Sequence, residues 1–294
     1  MTAAMPTREL ARAKINLTLT VRGRRPDGYH ELQSLVTFAE VADEIEFHPG
    51  PDLGITCRGP FAPEIVGTNL VEATLRRLQD LGQGLRLGAV TLTKNLPVAA
   101  GLGGGSADAA AVLRAVRAAN PDAANRIAWH DIAVRLGADV PVCLAGRPAC
   151  MWGIGDRIEP IDEGLPALSV VLVNPRVPLS TAQVFAALNA PPAPPARRPE
   201  LDADIDTLED LLGLMRRVGN DLERPATALL PVITDIKAAL IAQPGCHLAA
   251  LSGSGPTCFA IFSDDAAASQ AATALTAAHP QWWTVATRLE QDRF

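Results

Sequence analysis

The sequence predicts an α+β fold with two domains. Residues from Ala13 to Val21 alternate between apolar and polar side chains, which is the period of a β-strand with one buried apolar face and one polar face. Ala109, Val112, Leu113 and Val116 recur at the spacing of an amphipathic helix. Strand and helix patterns follow one another without a regular βαβ rhythm, so α+β is favoured over a doubly wound sheet. A length of 294 residues suits two domains, and we place their boundary between residues 162 and 163.

The elements can be read in chain order. A turn at 24–28 follows the first strand, and Asn69 with Glu72 resembles a capping box at the start of a helix. The helix after the glycine-rich segment should end near Ala119, and Ser106 occupies its expected N-cap position, with Asp108 in the first turn. Further strands are predicted near 43–48, 87–94, 167–173, 247–251 and 258–262, and further helices near 131–136, 208–215 and 226–241. Residues 191–199, PPAPPARRP, should form an extended, exposed connector.

Bulk composition excludes several classes of protein. The net charge of -6 and the lack of a basic stripe argue against a nucleic-acid partner. No apolar run approaches the ~20 residues that a membrane span needs, and the N-terminus lacks a signal-peptide pattern. The five cysteines are odd in number and lack metal-binding spacing, which is typical of reduced thiols. We therefore expect a cytoplasmic protein without membrane partners.

A glycine-rich segment, Gly101-Leu102-Gly103-Gly104-Gly105-Ser106, lies between a strand and a helix. Four glycines in five positions let backbone N–H groups approach an anion closely, and the helix N-terminus adds partial positive charge. It is not a Walker A loop, because no lysine follows the glycines, and it lacks the sixth-position glycine of a dinucleotide fingerprint. The His-Arg-Asp and Asp-Phe-Gly sequences of protein kinases do not occur. From these residues alone, a flexible glycine turn that leads into an ordinary helix remains an alternative to a phosphate loop.

Three ordered motifs resemble those of the GHMP kinases, a family of ATP-dependent small-molecule kinases. They are Ala13-Lys14-Ile15-Asn16-Leu17, the glycine-rich segment, and Leu251-Ser252-Gly253-Ser254-Gly255-Pro256-Thr257. The resemblance implies a two-domain fold with the active site in the cleft between an ATP-binding and catalytic domain (1–162) and a substrate-binding domain (163–294). It also implies that ATP contacts Pro97, Val98, Ala99, Ala100, Gly101, Leu102, Gly103, Gly104, Gly105, Ser106 and Ala107.

Asp139 and Lys14 are the catalytic residues that the resemblance implies. Phosphoryl transfer to an alcohol needs a group that accepts the hydroxyl proton, and aspartate does this in several kinase classes. A turn aspartate is the alternative, but an acid just after a helix C-terminus would meet the unfavourable end of the helix dipole. Lys14 would pair with Asp139 and polarise the reacting groups. A solvated edge lysine is the ordinary alternative for that residue.

Asp27-Gly28-Tyr29-His30 and Leu136-Gly137-Ala138-Asp139-Val140-Pro141 resemble one branch of the family more closely. In that branch the acceptor is a small molecule that carries a cytidine diphosphate group. Cys143 departs from the branch, where a larger apolar residue is expected. The implied substrate-binding residues, which include an aromatic clamp on the cytosine, are Asn16, Tyr29, His30, Thr181, Phe185, Gly253, Ser254 and Gly255.

The resemblance also implies the cofactors and leaves alternative functions open. Mg²⁺ should arrive with ATP, with Ser106 as a possible contact, because no carboxylate cluster marks an all-protein metal site. The rivals are another GHMP kinase of the homoserine or mevalonate type and a catalytically inactive, ligand-binding family member. An oxidoreductase is a more distant alternative. The protein should be a monomer or a homodimer.

Overall fold

Strands and helices are mixed along the whole described chain, which confirms the predicted α+β class. The computed structural model describes residues 6–67, 69–82, 84–161, 165–194, 198 and 205–289. Their residue contacts divide the chain into two units. The first contains the chain up to residue 13 with 41–98 and 103–146, and the second contains 14–40, 99–102 and the chain from 147 onward. The predicted domains, 1–162 and 163–294, are two continuous stretches of sequence, whereas each unit is assembled from several separate stretches. The two divisions describe different things, so the predicted domains stay a prediction.

The first unit combines a small sheet with five helices in its described residues. Strand β4 is parallel to β5, and β5 is antiparallel to the end of β3, with Glu44 opposite Thr93. Strand β1 begins in this unit and ends in the other, and β3 runs from the second unit into this one. The elements are β1 (Thr7–Asn16), β3 (His30–Pro49), β4 (Gly54–Arg58), α1 (Leu70–Asp80), β5 (Gly88–Thr93), α2 (Gly104–Ala119), α3 (Pro121–Ala124), α4 (Trp129–Leu136) and α5 (Val140–Ala145), with a short 3₁₀ helix at Ala62–Glu64.

Two helices of this unit follow directly from their sequences. Asn69 Oδ1 accepts a hydrogen bond from Val71 N at 2.9 Å, so the residue caps α1 as predicted. Helix α2 buries a run of alanines together with Val112 and Leu113, and it packs against α1 and α5. The small alanine side chains let the neighbouring helices approach α2 closely.

The second unit contains an antiparallel sheet in the order β11–β8–β10–β9, while β2 and β6 pair with the first part of β3 and β7 pairs with β6. A buried apolar cluster that includes Val171, Leu240 and Ala260 lies against this sheet. The elements are β2 (Thr20–Arg24), β6 (Ala149–Gly153), β7 (Arg157–Pro160), β8 (Leu168–Asn174), α6 (Thr181–Leu188), α7 (Leu208–Val218), α8 (Glu223–Leu229), α9 (Val232–Ile241), β9 (Cys246–Leu251), β10 (Cys258–Phe262), α10 (Asp265–Ala278) and β11 (Trp283–Leu289).

The predicted single strand at 13–21 is two strands. The backbone N–H groups of Leu17 and Thr18 both point to the Leu35 carbonyl, at 2.8 and 3.4 Å, so the regular ladder is interrupted there. The polar face of the pattern is also buried: Lys14 and Asn16 are each only 4% exposed. Alternation therefore predicted extended backbone correctly, but it did not reveal the break or the burial of both faces.

The helix predicted at 226–241 is two helices, α8 and α9. Leu230 adopts φ -138° and ψ 84°, and Pro231 is the N-cap of α9. Proline has no N–H to donate and disfavours helical backbone in the residue before it. The break at Pro231 is the expected consequence.

The described part of the proline-rich stretch agrees with an extended connector. Arg24 N donates to the Pro191 carbonyl at 2.7 Å, and Ala193 N donates to the Arg24 carbonyl at 2.8 Å. Pro191 and Pro192 are exposed. Positions 195–197 and 199 of the predicted connector lie outside the described residues. None of the helices formed by the described residues has the length and apolar character to cross a membrane.

Candidate active site

The glycine-rich segment leads into α2, but its cap differs from the prediction. The N-cap is Gly103, whose φ of +63° is left-handed, and the helix begins at Gly104. Ser106 is thus inside the first turn and is not the N-cap, and Asp108 lies beyond the first turn. Glycine adopts a left-handed conformation at little cost, and the helix begins three residues earlier than a cap at Ser106 would place it.

Two glycines of this segment serve different physical needs. A Cβ on Gly101, where φ is +74°, would lie 2.7 Å from the carbonyl oxygens of both Ser252 and Gly255. A Cβ on Gly105 would meet nothing within 4 Å. Gly101 is required by packing against the turn between β9 and β10, whereas the open space at Gly105 is what an approaching phosphate group needs.

Residues 99–102 belong to the second unit, and the carbonyls of Ala100, Gly101 and Leu102 are all engaged there. They accept from Thr257 N at 3.2 Å, from Ser252 Oγ at 3.0 Å and from Lys14 N at 2.8 Å. Carbonyl oxygens repel an anion, whereas N–H groups attract it. The arrangement therefore suits a loop that presents N–H groups to phosphate.

Residues 103–107 belong to the first unit and lie beside a buried charged cluster that the sequence analysis missed. Lys94 Nζ contacts Asp43 Oδ2 at 2.5 Å and Asp108 Oδ2 at 2.7 Å. The other Asp43 oxygen accepts from the backbone N–H groups of Asn95 and Leu96 at 2.6 and 2.8 Å. A Cβ on Gly104 would come within 3.2 Å of Lys94 Nζ. The cluster thus supports the segment directly before the loop and the first turns of α2.

The cluster holds two carboxylates and one ammonium group in a buried position. Burial raises the pKa of Asp108 to about 7, and Asp43 adds to that increase while Lys94 opposes it. Burial alone would lower the pKa of Lys94, but the two carboxylates outweigh it and raise that pKa. Asp108 Oδ1 has no hydrogen-bond partner within the described part of the chain. One sequence signal could have revealed the cluster: Asp108 lies three and four residues before Ala111 and Val112, on the apolar face of α2.

Lys14 and Asn16 lie at the end of β1, in the second unit. Asn16 Nδ2 donates to Ser34 Oγ at 2.7 Å, and Asn16 N donates to Ser252 Oγ at 3.2 Å. Asn16 Oδ1 is buried without a partner among the described residues, and a Cβ on Gly253 would lie 3.1 Å from it. Asn16 therefore brings an unsatisfied acceptor to the predicted substrate-binding turn at 253–255.

Asp139 follows α4 and its C-cap Gly137, as the sequence predicted, but a second helix begins directly after it. It is the N-cap residue of α5, a helix that the sequence analysis did not predict, and its side chain makes no capping hydrogen bond. The carboxylate thus lies after the C-terminus of α4 and before the N-terminus of α5, so the argument from an unfavourable helix end left out a second, favourable one. Asp139 belongs to the first unit and Lys14 to the second, and their pairing stays a prediction.

Four of the predicted substrate-binding residues of the second unit form two side-chain contacts. The rings of His30 and Phe185 lie 4.8 Å apart at 30°, and the hydroxyls of Thr181 and Ser254 are 2.8 Å apart. Burial and the positive charge of Arg24 lower the pKa of His30, which favours a neutral imidazole that both donates and accepts. Tyr29, with 59% of its surface exposed, leaves its ring accessible. Their roles toward a ligand stay predictions.

Comparison with known proteins places these features in a family. The model for the N-terminal domain of GHMP kinases matches residues 69–147, and the model for the GHMP kinase C-terminal domain matches residues 198–281. The chain belongs to the GHMP kinase family and is an ATP-dependent kinase.

Several relatives share almost the full length of the chain. It is 47% identical to the 4-diphosphocytidyl-2-C-methyl-D-erythritol kinase of Rhodopseudomonas palustris, over 96% of each chain. It is 51% identical to the protein of that name from Methylorubrum extorquens, over 95% of this chain and 97% of the relative.

Solved structures are also similar to the chain over nearly its full length. A crystal structure of 4-(cytidine 5'-diphospho)-2C-methyl-D-erythritol kinase superposes with a TM-score of 0.75 at 34% identity, over 97% of this chain and 100% of the other. A homoserine kinase from Cytophaga hutchinsonii has a TM-score of 0.70 at 18% identity, over 99% of this chain and 96% of the other, and shows the fold alone.

Proposed function

We propose that the protein transfers the γ-phosphoryl group of ATP to the 2-hydroxyl of 4-diphosphocytidyl-2-C-methyl-D-erythritol, a step of the non-mevalonate isoprenoid pathway. The observation that carries the proposal is the agreement of eight relatives that bear this kinase name. They are 44–51% identical to the chain over 94–96% of its length.

The phosphates of ATP would lie against the N–H groups at the start of α2. The open space at Gly105, the engaged carbonyls of residues 100–102 and the positive end of α2 all fit an anionic ligand. Mg²⁺ would be held mainly by the phosphates themselves, because the described residues contain no group of three or more His, Cys, Asp or Glu able to hold a metal. Ser106, in the first turn of α2, is our candidate for a protein contact to the ion.

Asp139 would accept or orient the proton of the reacting hydroxyl. The transition state of phosphoryl transfer spreads negative charge over the transferring group, so positioning and cationic groups do most of the work. Lys14 would supply a cation, and Asp139 would present its carboxylate from the N-cap position of α5. Asn16 would bind substrate through its unpartnered Oδ1.

The cytosine of the acceptor would bind at the His30–Phe185 ring pair, with Tyr29 stacking on the base and His30 donating or accepting hydrogen bonds. Thr181, Gly253, Ser254 and Gly255 would contact the remainder of the substrate. A cytoplasmic location is part of the same proposal, because all five cysteines are free thiols, as a reducing compartment maintains them.

The test is ADP release by the purified protein with ATP, Mg²⁺ and separate acceptors: 4-diphosphocytidyl-2-C-methyl-D-erythritol, homoserine and mevalonate. We expect turnover with the first alone. Asp139→Asn should lower kcat by about 10²- to 10⁴-fold, which is the range for loss of a general acid or base.

The matched control is Asp264→Asn, at the N-cap of α10. Asp264 caps that helix by accepting from Ala267 N at 2.8 Å, and asparagine caps helices about as well. This variant should retain wild-type turnover. Equal activity of Asp139→Asn and Asp264→Asn would refute the catalytic role, and turnover of homoserine or mevalonate instead of the first acceptor would refute the substrate.

A further inference from the structure

Ser252 lies in the turn between β9 and β10, and its side chain joins two other segments of the second unit. Its hydroxyl accepts from the backbone N–H of Asn16 at 3.2 Å and donates to the carbonyl of Gly101 at 3.0 Å. The residue is fully buried. One hydroxyl therefore accepts from the strand end that carries Lys14 and donates to the loop that precedes α2.

The backbone of the turn is itself held in place. Asn220 Nδ2 donates to the carbonyls of Leu251 and Gly253 at 2.9 and 2.8 Å, on either side of Ser252. Ser252 N donates to the Thr257 carbonyl at 3.0 Å. The hydroxyl of Ser252 thus projects from a fixed support, so its position can determine the positions of its two partners.

The turn that carries Ser252 packs closely against Gly101. A Cβ at Gly101 would come within 2.7 Å of the Ser252 and Gly255 carbonyl oxygens. The neighbouring loop carbonyls, of Ala100 and Leu102, are bound by Thr257 N and Lys14 N. Loss of the Ser252 hydroxyl would free the middle one of three consecutive carbonyls and leave the buried N–H of Asn16 without its acceptor.

We propose that Ser252 is a positioning residue, whose hydroxyl sets the nucleotide loop and the end of β1 in one geometry so that affinity for nucleotide and for acceptor both depend on it. The nucleotide half of the inference needs only an ATP-binding loop. The acceptor half rests on the function proposed above, through Asn16. Ser252 need not touch either ligand to have this effect.

The test compares Ser252→Ala with wild type by titration of a non-hydrolysable ATP analogue, by steady-state kinetics in both substrates and by hydrogen exchange at residues 13–17. The variant should bind the analogue about tenfold more weakly and show about a tenfold higher KM for the acceptor, since an unmade buried hydrogen bond has an effect of this size. Exchange of the Asn16 amide should accelerate.

Ser169→Ala is the matched control. Ser169 lies on β8 of the same unit, and its hydroxyl donates to Asp265 Oδ1 at 2.6 Å. Its two affinities should stay within about twofold of wild type. If Ser252→Ala does not fold, Ser252→Cys retains a weak donor and acceptor and should show smaller losses in both affinities.

Two results would overturn the inference: a Ser252 variant that matches Ser169→Ala in both affinities, or a variant that loses affinity for one ligand alone. The nucleotide titration keeps this inference separate from the proposed function. A wild-type protein that binds the analogue but phosphorylates none of the acceptors argues against the proposed substrate, whereas the comparison of analogue binding still decides the role of Ser252.

Discussion

The two halves of the glycine-rich loop are supported by different chemistry. In the second unit, the carbonyls of residues 100–102 are held by three neutral hydrogen bonds from Thr257, Ser252 and Lys14 backbone or hydroxyl groups. In the first unit, the start of α2 lies beside the ionic cluster of Lys94, Asp43 and Asp108. One half depends on groups that do not titrate, and the other on buried charges.

The difference matters because buried charges respond to substitution and to pH more strongly than neutral bonds do. Removing one member of a buried ion pair leaves an uncompensated charge, whereas removing one neutral hydrogen bond costs less. The ionic half also contains Asp108, whose pKa of about 7 lies within the working range of an enzyme. The two halves should therefore differ in the size and in the pH dependence of their mutational effects.

The largest effect is expected for Lys94→Met, which leaves Asp43 and Asp108 buried without a cation. Its free energy of unfolding, from urea titration at pH 8, should fall by about 3–5 kcal/mol. Lys237→Met is the control, because Lys237 pairs with Glu223 at a partly exposed position and should lose about 1 kcal/mol or less. Similar losses in the two variants would show that the buried cluster contributes no more to stability than a partly exposed ion pair.

A smaller effect, distinguished by its pH dependence, is expected for Asp108→Asn. Because the native pKa of Asp108 is raised to about 7 from 3.8, the native state binds its proton more tightly than the unfolded state. This carboxyl therefore destabilises the wild type progressively as pH rises from about 4 to about 7. The free energy of unfolding of Asp108→Asn, compared with that of wild type, should therefore rise by about 2–4 kcal/mol between pH 4 and pH 8.

The measurement is urea unfolding of both proteins at several pH values in that window. Ser252→Ala provides the contrast from the neutral half, because its loss of stability should be the same at each pH. A constant difference between Asp108→Asn and wild type would contradict the pKa assigned to the cluster.

The smallest effects come from single methyl groups, at Gly101 and Gly105. Gly101→Ala combines a left-handed φ with two close carbonyl contacts and should lose about 1–3 kcal/mol of stability. Gly105→Ala places its methyl group in open space inside a helix and should gain about 0.5–1 kcal/mol. Thermal unfolding measures both changes.

Gly105→Ala should be favourable for stability but unfavourable for nucleotide binding. If phosphate occupies the space beside Gly105, Gly105→Ala will weaken binding of the ATP analogue although its fold is intact. Unchanged analogue affinity in this variant would place the phosphates elsewhere along the loop.

Most of the secondary structure was predictable because its signals are local. The apolar spacing of α1, α2 and α7, the strands β5, β8, β9 and β10, and the cap at Asn69 were all expected from the sequence. The errors arose where contacts with distant residues determine the structure. Strand β1 ends at Asn16, where the next two backbone N–H groups both point to the Leu35 carbonyl. Helix α5 begins next to Asp139, although its sequence has no apolar periodicity that would predict a helix. The break at Pro231 was a local signal that the interpretation overlooked.

The family and its ATP-dependent kinase activity were accessible from sequence because three motifs, each tied to backbone chemistry, occur in a fixed order. The structure added what spacing does not encode. Asp43, Lys94 and Asp108 are separated by 51 and 14 residues, yet they form one buried ionic cluster. Ser252 lies 236 residues from Asn16 and 151 from Gly101, yet its hydroxyl joins both.

Sequence alone was therefore sufficient for the fold class, for a glycine-rich segment between a strand and a helix, and for the family, since helical and strand periods and glycine-rich loops are properties of short segments. Only the tertiary structure revealed which glycine is required by packing, which carboxylate is held at a raised pKa, and which hydroxyl joins the loop to β1. The physical reason is that burial, desolvation and hydrogen-bond geometry depend on atoms brought together from distant parts of the chain.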